Sequence, residues 1–346
     1  MHSRGDDCTG CRHANSIAAR RQEAEMSLPS PDESPPIDVE LMAVAREIRK
    51  IDPEGLAIGQ VLRETLDQLY YGERTGRYHW KQLCKTEKTH CGTLVEINLL
   101  QRFLEYFKDA EKLDYKIAGV EVDCKYSQDK QWMIPPEAHG HLCLVVWADD
   151  YEAVWSLGIV RATPERLHLK DDMRGKNRDS KATLNKEGRQ AIFWLFQDAP
   201  LPPNILLQLS PEDLKSIFAF TSGTKKLDQL FRVALGRLVG RAAVATVGKQ
   251  KDFTRRVRRN GGSRSSLQKD GIVIVGPYTT HTTIAKSLGI LVPRSGEYIS
   301  IRLSPADAPG EGVARIDGGY WRVARPSDPV VDAPHLPSPS AKEADE

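Results

Sequence analysis

An aspartate and a lysine two residues apart, Asp123 and Lys125, are the clearest candidates for chemistry in this 346-residue chain. They close a run of strand-forming residues, and alternate residues of a strand point to the same face. The two side chains therefore stand side by side. A carboxylate in such a pair can ligate a divalent metal ion, while the lysine positions an attacking water as an ammonium or deprotonates it as a neutral amine.

The Asp-x-Lys spacing is weak evidence on its own. The same spacing recurs elsewhere, including at Asp179–Lys181 in a polar stretch and at Asp213–Lys215 on a predicted helix, where no strand aligns the side chains. An isolated pair on a strand is most often part of a solvated charged surface. The interpretation therefore depends on further acidic residues nearby.

Asp114 is one such residue. It stands at the start of the preceding predicted strand, and Gly119 permits a turn that brings Asp114 beside Asp123. Two carboxylates held together repel each other unless a cation lies between them. The pair of aspartates therefore favours a cation site.

Glu96 is the other. On a helical wheel of residues 93–107 it falls among Leu100, Phe103 and Phe107, in the middle of the apolar face. A carboxylate in that position must be buried, protonated or paired. A metal site would satisfy it, and so would a backbone or lysine partner; the pattern fits both equally.

Helices and short strands position these residues in the first half of the chain. Asp38 caps a first predicted helix, a second carries Leu62, Leu66 and Leu69, and Gly72 suits its end. Short apolar runs rich in Val and Ile then predict strands. These runs cover residues 115–125, 141–147 and 154–161, and Leu142–Trp147 is apolar throughout, as in a central buried strand. We expect an α/β (α+β) domain over residues 38–190, with residues 166–186 as a linker or exposed excursion.

The pattern turns helical from about Glu187. Ser210 begins a helix with a proline at its first position, and an apolar stripe from Leu227 to Ala242 predicts a continuous buried helix. A short basic helix follows at residues 252–259, then strands at 271–276, 297–303, 312–317 and 320–325. Helices followed by small hairpins are typical of a helix-turn-helix or winged-helix DNA-binding module. We expect this second domain over residues 191–326.

Charge supports that expectation. The net charge is only +2, yet residues 225–264 hold twelve Lys or Arg against two acidic residues. The rest of the chain is mildly acidic. A basic segment on an acidic background indicates a polyanionic partner such as nucleic acid, although a solvated basic face would give the same count.

Composition excludes several classes of protein. No stretch of about 18 apolar residues exists, so a membrane span is not expected, and the N-terminus lacks a secretory signal. Six cysteines in 346 residues are too few for a disulfide scaffold, which predicts a reduced, cytoplasmic protein.

Both ends of the chain are predicted to be unfolded. Residues 1–37 are poor in apolar side chains and rich in proline, and Met26 is a plausible true start. Cys8, Cys11 and His13 lie close together there, but no second ligand pair completes a zinc site. Residues 327–346 form a proline-rich acidic tail.

The order of the candidate residues resembles the PD-(D/E)xK nuclease superfamily. A helix-borne Glu is followed by Asp and then by Asp-x-Lys on a hairpin, as in that core, where a helix precedes a mixed sheet. The resemblance implies a PD-(D/E)xK endonuclease core with a central mixed β-sheet. It also implies Mg²⁺-dependent phosphodiester hydrolysis.

Longer blocks are similar to the NaeI-type family of type II (type IIE) restriction endonucleases, from about residue 45 to 335. They are Thr65-Leu66-Asp67-Gln68-Leu69-Tyr70-Tyr71-Gly72, Lys85 to Asn98, Ile117 to Lys125, Pro135-Pro136-Glu137 with Gly140-His141, Gly236 to Ala242, and Arg255-Arg256-Val257-Arg258 with Gly261-Gly262. Blocks of this length in one order are far more specific than Asp-x-Lys.

This family resemblance implies a dimeric, Mg²⁺-dependent endonuclease with two DNA-binding domains in each chain. The first domain cuts double-stranded DNA, and the second binds another copy of a GC-rich palindrome and activates cleavage, so that a homodimer engages two sites. A cognate DNA methyltransferase would protect the host. Family positions match Glu96, Asp114, Asp123 and Lys125 as catalytic residues; the metal ligands would be Asp114, Asp123, the Cys124 carbonyl and Glu96.

The block around Leu69 also resembles a DNA ligase motif in which a lysine becomes adenylated. Leu69 stands in the lysine's place and Tyr71 in that of an aspartate, so the nucleophile is missing. We expect no ligase activity and interpret the block as the end of a helix.

DNA-binding residues are expected in the basic segment, where arginine suits both guanine edges and phosphates. The candidates are Lys249, Lys251, Arg255, Arg256, Arg258, Arg259 and Arg264. A helix at residues 282–288 with Lys286 is an equally suitable reader of bases.

Two other functions fit the same residues. One is a repair or recombination nuclease with looser sequence demand. The other is a DNA-binding regulator whose nuclease core is inactive, which is disfavoured because all four catalytic residue types are present.

Overall fold

Four helices precede a mixed sheet in the computed structural model, which describes residues 37–168, 181–249 and 262–338. The helices of this first unit are α1 (Val39–Ile51), α2 (Leu56–Tyr70), α3 (Gly72–Thr75), α4 (Lys85–Arg102) and, later in the chain, α5 (Lys186–Gln190). Its strands are β1 (Phe107–Lys108), β2 (Tyr115–Ile117), β3 (Val120–Tyr126), β4 (Met133–Ile134), β5 (Leu142–Asp149), β6 (Val154–Arg161), β7 (Ala182–Thr183) and β8 (Phe193–Pro200).

Six of these strands form the central sheet, in the order β1-β2-β3-β5-β6-β8. Only β3 and β5 run parallel to each other; the other neighbours are antiparallel. Leu144 and Val146 of β5 join the core shared with the helices, whereas Cys143 and Val145 join a second core on the opposite face. The predicted α/β class, with its central mixed sheet and buried strand at 142–147, is confirmed.

Helices α1 and α2 form where their sequence patterns predict them. Asp38 caps α1 by accepting a hydrogen bond from the backbone N–H of Leu41, at 3.0 Å. The apolar side chains of α2 are buried against α4 and the sheet. The chain leaves α2 through Tyr71, whose φ of 49° is left-handed, and Gly72 begins the next short helix instead of ending α2.

Helix α4 lies earlier in the chain than predicted. It begins at Lys85, where Glu87 and Cys84 form a reciprocal cap, and it ends at Arg102. Phe107 belongs to β1, because the chain turns after Phe103 and packs the Phe103 and Phe107 rings together with their centroids 5.3 Å apart. The helical wheel of residues 93–107 therefore extends beyond the real helix.

Strand β8 was not predicted, because the sequence after Glu187 indicated helix. It pairs with β6 through a register shift, and Asp198 within it has a left-handed φ of 48°. These irregularities remove the alternation that normally identifies a strand. Because β8 belongs to the central sheet, the first unit extends to Pro200, ten residues past the expected boundary.

The second unit packs short helices against a smaller sheet. Its helices are α6 (Ile205–Gln208), α7 (Pro211–Phe218), α8 (Gly223–Val233), α9 (Arg241–Gly248), α10 (Ser263–Ser266) and α11 (Thr279–Ser287). Its strands are β9 (Leu238–Gly240), β10 (Ile272–Val275), β11 (Glu297–Pro305), β12 (Val313–Ile316) and β13 (Gly319–Val323). The long strand β11 pairs with β10, β9 and β13, and β13 pairs with β12. The four predicted strands are all found.

The continuous helix predicted from Leu227 to Ala242 is wrong. Helix α8 ends at Val233, and the chain turns through Gly236, whose φ of 73° suits glycine. Leu238–Gly240 then pairs with residues 297–299 of β11 before α9 begins. The apolar residues that mimic one helical stripe belong to two helices and a strand.

The two ends of the chain and the basic segment are described only in part. The Cys8, Cys11 and His13 group and the predicted helix at 252–259 lie outside the described residues. The predicted tail is described as far as residue 338, and it packs on the second unit: the backbone N–H of Ala333 donates to the Gln268 carbonyl at 2.8 Å. In the described ranges, no helix is both long and apolar enough to cross a membrane.

Candidate active site

A tight hairpin brings the two aspartates together. Strands β2 and β3 are joined by Ala118 and Gly119, with φ values of 51° and 82°, the left-handed pair typical of a two-residue hairpin turn. Tyr115 faces Val122 across the hairpin, which sets Asp114 next to Asp123. The turn inferred at Gly119 thus places both carboxylates at one end of the strand pair.

The Lys125 ammonium lies between these carboxylates. Its Nζ donates to Asp123 Oδ1 at 2.8 Å and to Asp114 Oδ2 at 3.2 Å. It also donates to the backbone carbonyl oxygen of Cys124 at 2.9 Å. One cationic nitrogen is therefore surrounded by three oxygen atoms from this hairpin.

Asp114 is fixed from two directions. Its Oδ2 accepts a hydrogen bond from the backbone N–H of Cys124 at 2.6 Å, in addition to the bond from Lys125. Its side chain is 20% exposed, so one edge of the group reaches solvent. The Asp114 carboxylate is held in place by the strand that carries Asp123.

Asp123 is the buried member, with only 4% of its side chain exposed. Burial, and to a smaller extent the neighbouring Asp114 carboxylate, raises the pKa of its carboxyl to about 7, against the opposing effect of Lys125. Its second oxygen lies 3.9 Å from the Cys143 thiol on β5. A weakly solvated carboxylate of this kind favours any added positive charge.

Lys125 stays protonated in this arrangement. Burial opposes its charge, but the Asp123 and Asp114 carboxylates outweigh burial and raise the Lys125 pKa above its usual range. The side chain is therefore a hydrogen-bond donor here and cannot accept a proton from water.

Glu96 approaches the hairpin from α4. The Tyr115 hydroxyl donates to the Glu96 backbone carbonyl at 2.7 Å and ties the helix to β2. Desolvation raises the pKa of the Glu96 carboxyl, and the nearby Asp114 charge raises it further while Lys125 lowers it. The residue is half-buried beside the buried row Cys91, Val95 and Leu99, so its predicted place in the middle of the apolar face is wrong.

The oxygen atoms of the hairpin suit a hard divalent cation. Within the described ranges, no group of three or more His, Cys, Asp and Glu side chains is preassembled as a metal cluster. Instead, two carboxylates and one carbonyl already surround a cation, the Lys125 ammonium, and Mg²⁺ takes the same kind of donor. The residues present therefore fit a magnesium ion at this position.

Two of the predicted DNA-binding residues are described. The Lys249 side chain lies over Gly76 of the first unit, where a Cβ added to the glycine would come within 2.8 Å of Nζ. Arg264 is half-buried, and its Nε donates to the Ile274 carbonyl at 3.1 Å. The others, Lys251, Arg255, Arg256, Arg258 and Arg259, lie outside the described residues.

Sequence reasoning missed a second charge cluster in the first unit, around the buried side chain of Arg63. Arg63 pairs with Asp150 and, at 2.7 Å, with Asp67, and the Tyr70 hydroxyl donates to Asp150 at 2.6 Å. The available signal was an arginine, an aspartate and a tyrosine spaced i, i+4 and i+7 within an apolar helix. Cys143, beside Asp123, gave no comparable signal.

Comparison with known proteins supplies a family context for this site. The family model described as restriction endonuclease NaeI matches residues 42–332. The type II restriction enzyme NaeI of Lentzea aerocolonigenes is 44% identical to the chain over 314 residues. That alignment covers 88% of this chain and 96% of the relative.

Proposed function

The chain belongs to the restriction endonuclease NaeI family and is a site-specific DNA endonuclease, and from this premise we propose how it cuts. The proposed reaction is Mg²⁺-dependent hydrolysis of phosphodiester bonds in double-stranded DNA at a GC-rich palindromic site. Glu96, Asp114, Asp123 and Lys125 are the proposed catalytic residues, on a PD-(D/E)xK core. The ammonium of Lys125, held between two carboxylates and a carbonyl, is the observation that carries this proposal.

Each hairpin residue has a defined task in this proposal. Asp114, Asp123 and the Cys124 carbonyl would hold Mg²⁺, with Glu96 completing the ligand set from α4. Bound there, the ion supplies charge neutralisation at the phosphate and a bound water of lowered pKa. Lys125 would then turn its ammonium from the carboxylates to the attacking water or the phosphate, and position it.

The hairpin supports this assignment electrostatically. Asp123 is buried with an elevated pKa, so a divalent cation relieves an unfavourable charge as it binds. The partial exposure of Asp114 and Lys125 leaves a path from solvent to the same oxygens. A carboxylate pair closed to solvent would lack that path.

We further propose that the second unit is a helix-turn-helix-like DNA-binding domain. It would bind a second copy of the site through Lys249, Lys251, Arg255, Arg256, Arg258, Arg259 and Arg264 and thereby activate cleavage by the first unit. Support comes from the basic charge of residues 225–264 and from short helices packed against small hairpins. A homodimer presenting two such domains would engage two sites.

The decisive experiment is digestion of a plasmid of known sequence with Mg²⁺ or with EDTA, by the wild type and by Lys125→Ala. We expect discrete Mg²⁺-dependent fragments, which the variant fails to produce. Lys215→Ala is the matched control, because Lys215 is in another Asp-x-Lys but is exposed on α7, away from the hairpin. It should cut like the wild type.

The outcomes separate the proposal from its rivals. Smeared or structure-dependent products would indicate a repair or recombination nuclease. A gel shift of DNA without cutting would contradict catalysis and leave a DNA-binding regulator. The proposed partner methyltransferase is tested in the host: deleting it should make the active enzyme toxic, and a harmless deletion would exclude that pairing.

A further inference from the structure

A short stretch of the first unit, residues 71–78, makes the contact with the second unit; we refer to it as the joint segment. Helix α3 within it packs on α9. A Cβ at Gly72 would overlap the Thr246 hydroxyl and would lie 2.8 Å from the Arg77 carbonyl oxygen. Thr246 is itself held by a 2.7 Å bond from its hydroxyl to the Ala242 carbonyl. The two units therefore touch at the backbone here, with no room for a side chain.

Tyr78 fastens the end of the joint segment to the second unit. Its ring stacks on Phe218 of α7, with centroids 6.3 Å apart and planes 11° from parallel. Its backbone carbonyl accepts a hydrogen bond from the side-chain amide of Asn204 at 2.9 Å. Asn204 is buried and also caps α6, so the contact reaches two helices of the second unit.

Arg77, the neighbouring residue, fastens the same segment to α4. Its guanidinium forms a two-point bond with Glu87, at 2.7 and 2.9 Å. Glu87 also accepts from the backbone N–H of Cys84 at 2.9 Å and so closes the first turn of α4. Because of the hydrogen bonds from Arg77, the pKa of Glu87 falls to about 2, and the pair stays ionised at any assay pH near neutrality.

Helix α4 leads directly to the candidate active site. Glu96 lies nine residues after Glu87, or about 13 Å along the helix axis at 1.5 Å per residue. Two residues later, the Asn98 amide bonds to Thr65 and Gln68 of α2 and holds the helix against its neighbour. A shift at the start of α4 is thus carried along a packed helix to Glu96.

We propose that Arg77 is a positioning residue that ties α4, and with it Glu96, to the second unit. Two consecutive residues make this connection: Tyr78 contacts the second unit, and Arg77 forms the ion pair with Glu87 of α4. When the second unit binds DNA, a change in its seating on the joint segment moves the start of α4 and alters cleavage. This inference rests on the proposed activation by a second site.

The alternative is that the Arg77–Glu87 ion pair only stabilises the fold. The Arg77 and Glu87 side chains are 25% and 31% exposed, and such pairs commonly add about 1 kcal/mol or less to stability. A purely stabilising pair would, when broken, change basal and activated cleavage by the same factor. A positioning pair changes their ratio.

The test compares cleavage of a single-site plasmid with and without a short duplex carrying the site. Wild type, Arg77→Ala and the conservative variant Arg77→Lys, which leaves the Glu87 cap of α4 intact, are measured at saturating Mg²⁺. Arg161→Ala is the matched control, because Arg161 forms a comparable pair with Asp38, at 23% and 28% exposure, away from the joint segment. Melting temperatures confirm that each variant is folded.

We expect Arg77→Ala to cut at its basal rate without the duplex but to lose about fivefold or more of the duplex's stimulation. Arg77→Lys, which can still pair with Glu87, should keep most of the stimulation, and Arg161→Ala should keep all of it. Full stimulation of Arg77→Ala, or equal loss of basal and stimulated rates, would overturn the inference alone. Absence of stimulation in the wild type would overturn the proposed activation as well.

Tyr78 gives an independent check on the other end of the tie. Tyr78→Phe keeps the ring against Phe218, whereas Tyr78→Ala removes it. We expect stimulation to survive in the first variant and to fall in the second, with DNA binding by the second unit unchanged in a gel shift. Equal stimulation in both variants would contradict the role of this contact.

Discussion

Two charge clusters of the first unit share one composition, a cation held by two carboxylates, and differ in the cation. At the hairpin, the single ammonium of Lys125 lies between Asp114 and Asp123. Below α2, the forked guanidinium of Arg63 binds Asp67 and Asp150. A guanidinium matches carboxylates in fixed planar geometry, whereas an ammonium is a compact point charge on a flexible stem.

Their surroundings differ in the same sense. The Arg63 side chain is 7% exposed and Asp150 is 6% exposed, while Asp67 at the edge is 25% exposed. The Tyr70 hydroxyl adds a further bond to Asp150. The hairpin cluster keeps Asp114 and Lys125 about one-fifth exposed. A buried, forked cation holds elements together, whereas a cation that is one-fifth exposed and displaceable can exchange for a metal ion. The same charges thus serve structure in one place and, as we propose, catalysis in the other.

The largest expected effect is the loss of cleavage rate when the hairpin cluster is changed. Asp123→Asn removes the buried negative charge with little change of shape, and cleavage should fall by about a thousandfold or more because metal-centred charge stabilisation is worth several kcal/mol. The rate is measured on plasmid DNA at saturating Mg²⁺. Asp150→Asn, assayed well below its melting temperature, should retain most of its activity; the reverse pattern would erase the contrast between the clusters.

For the free energy of unfolding, we expect the larger loss at the Arg63 cluster and not at the hairpin cluster. Arg63→Leu leaves the buried Asp150 carboxylate and the partly buried Asp67 carboxylate without their cation, and the free energy of unfolding should drop by about 3–5 kcal/mol. Urea unfolding followed by tryptophan fluorescence measures the loss. Arg161→Leu, in a more exposed pair with Asp38, should cost about 1 kcal/mol or less. Similar losses in the two variants would show that Arg63 is not a structural centre.

A smaller loss is expected at the edge of the Arg63 cluster. Tyr70→Phe removes the hydroxyl that donates to Asp150 at 2.6 Å and leaves one buried oxygen with a weaker set of partners. The expected cost is about 1–3 kcal/mol in the free energy of unfolding. Cleavage by the folded variant should match the wild type, and an unchanged urea midpoint would place the bond outside the cluster's stabilising contacts.

The smallest expected effect is the change with pH in the Mg²⁺ concentration that cleavage requires. Asp123 has a pKa raised by burial to about 7, so protons compete with Mg²⁺ below that pH. The Mg²⁺ concentration for half-maximal cleavage should rise up to about tenfold for each pH unit below 7. In the metal-free protein, this raised pKa contributes stability in acid, and that contribution is lost as the pH rises through 7. An Mg²⁺ requirement that is flat from pH 8 to 6 would contradict the site.

Much of the hairpin could be predicted because its signals are local. Gly119 indicated the turn, and the alternation of side chains along a strand placed Asp123 and Lys125 on one face. The short distance in sequence predicted that Asp114 lies beside them. Glu96 was harder to place, since its exposure depends on where α4 ends. A wheel drawn over Phe107 treats a strand residue as helical.

The Arg63 cluster shows what the sequence could not reveal. Asp150 lies 87 residues from Arg63 and follows β5 directly, so only the packing of α2 on the sheet brings them together. The block around Leu69 gains its explanation here: Asp67 and Tyr70 serve this cluster, and Leu69 is buried beside them. Strand β8 was missed for a related reason, because its irregular pairing with β6 conceals its period.

The fastened end of the described chain determines where the protein tolerates shortening. Ala333 is buried and exchanges two hydrogen bonds with Gln268, and the Pro337 carbonyl lies 2.9 Å from the His281 ring nitrogen. Tolerance of truncation follows burial and hydrogen bonding of the affected backbone. Removal of residues from 330 onward would take Ala333 and Leu336 out of the apolar cluster that they share with β11 and β12, whereas a fusion partner joined beyond residue 338 leaves that cluster intact.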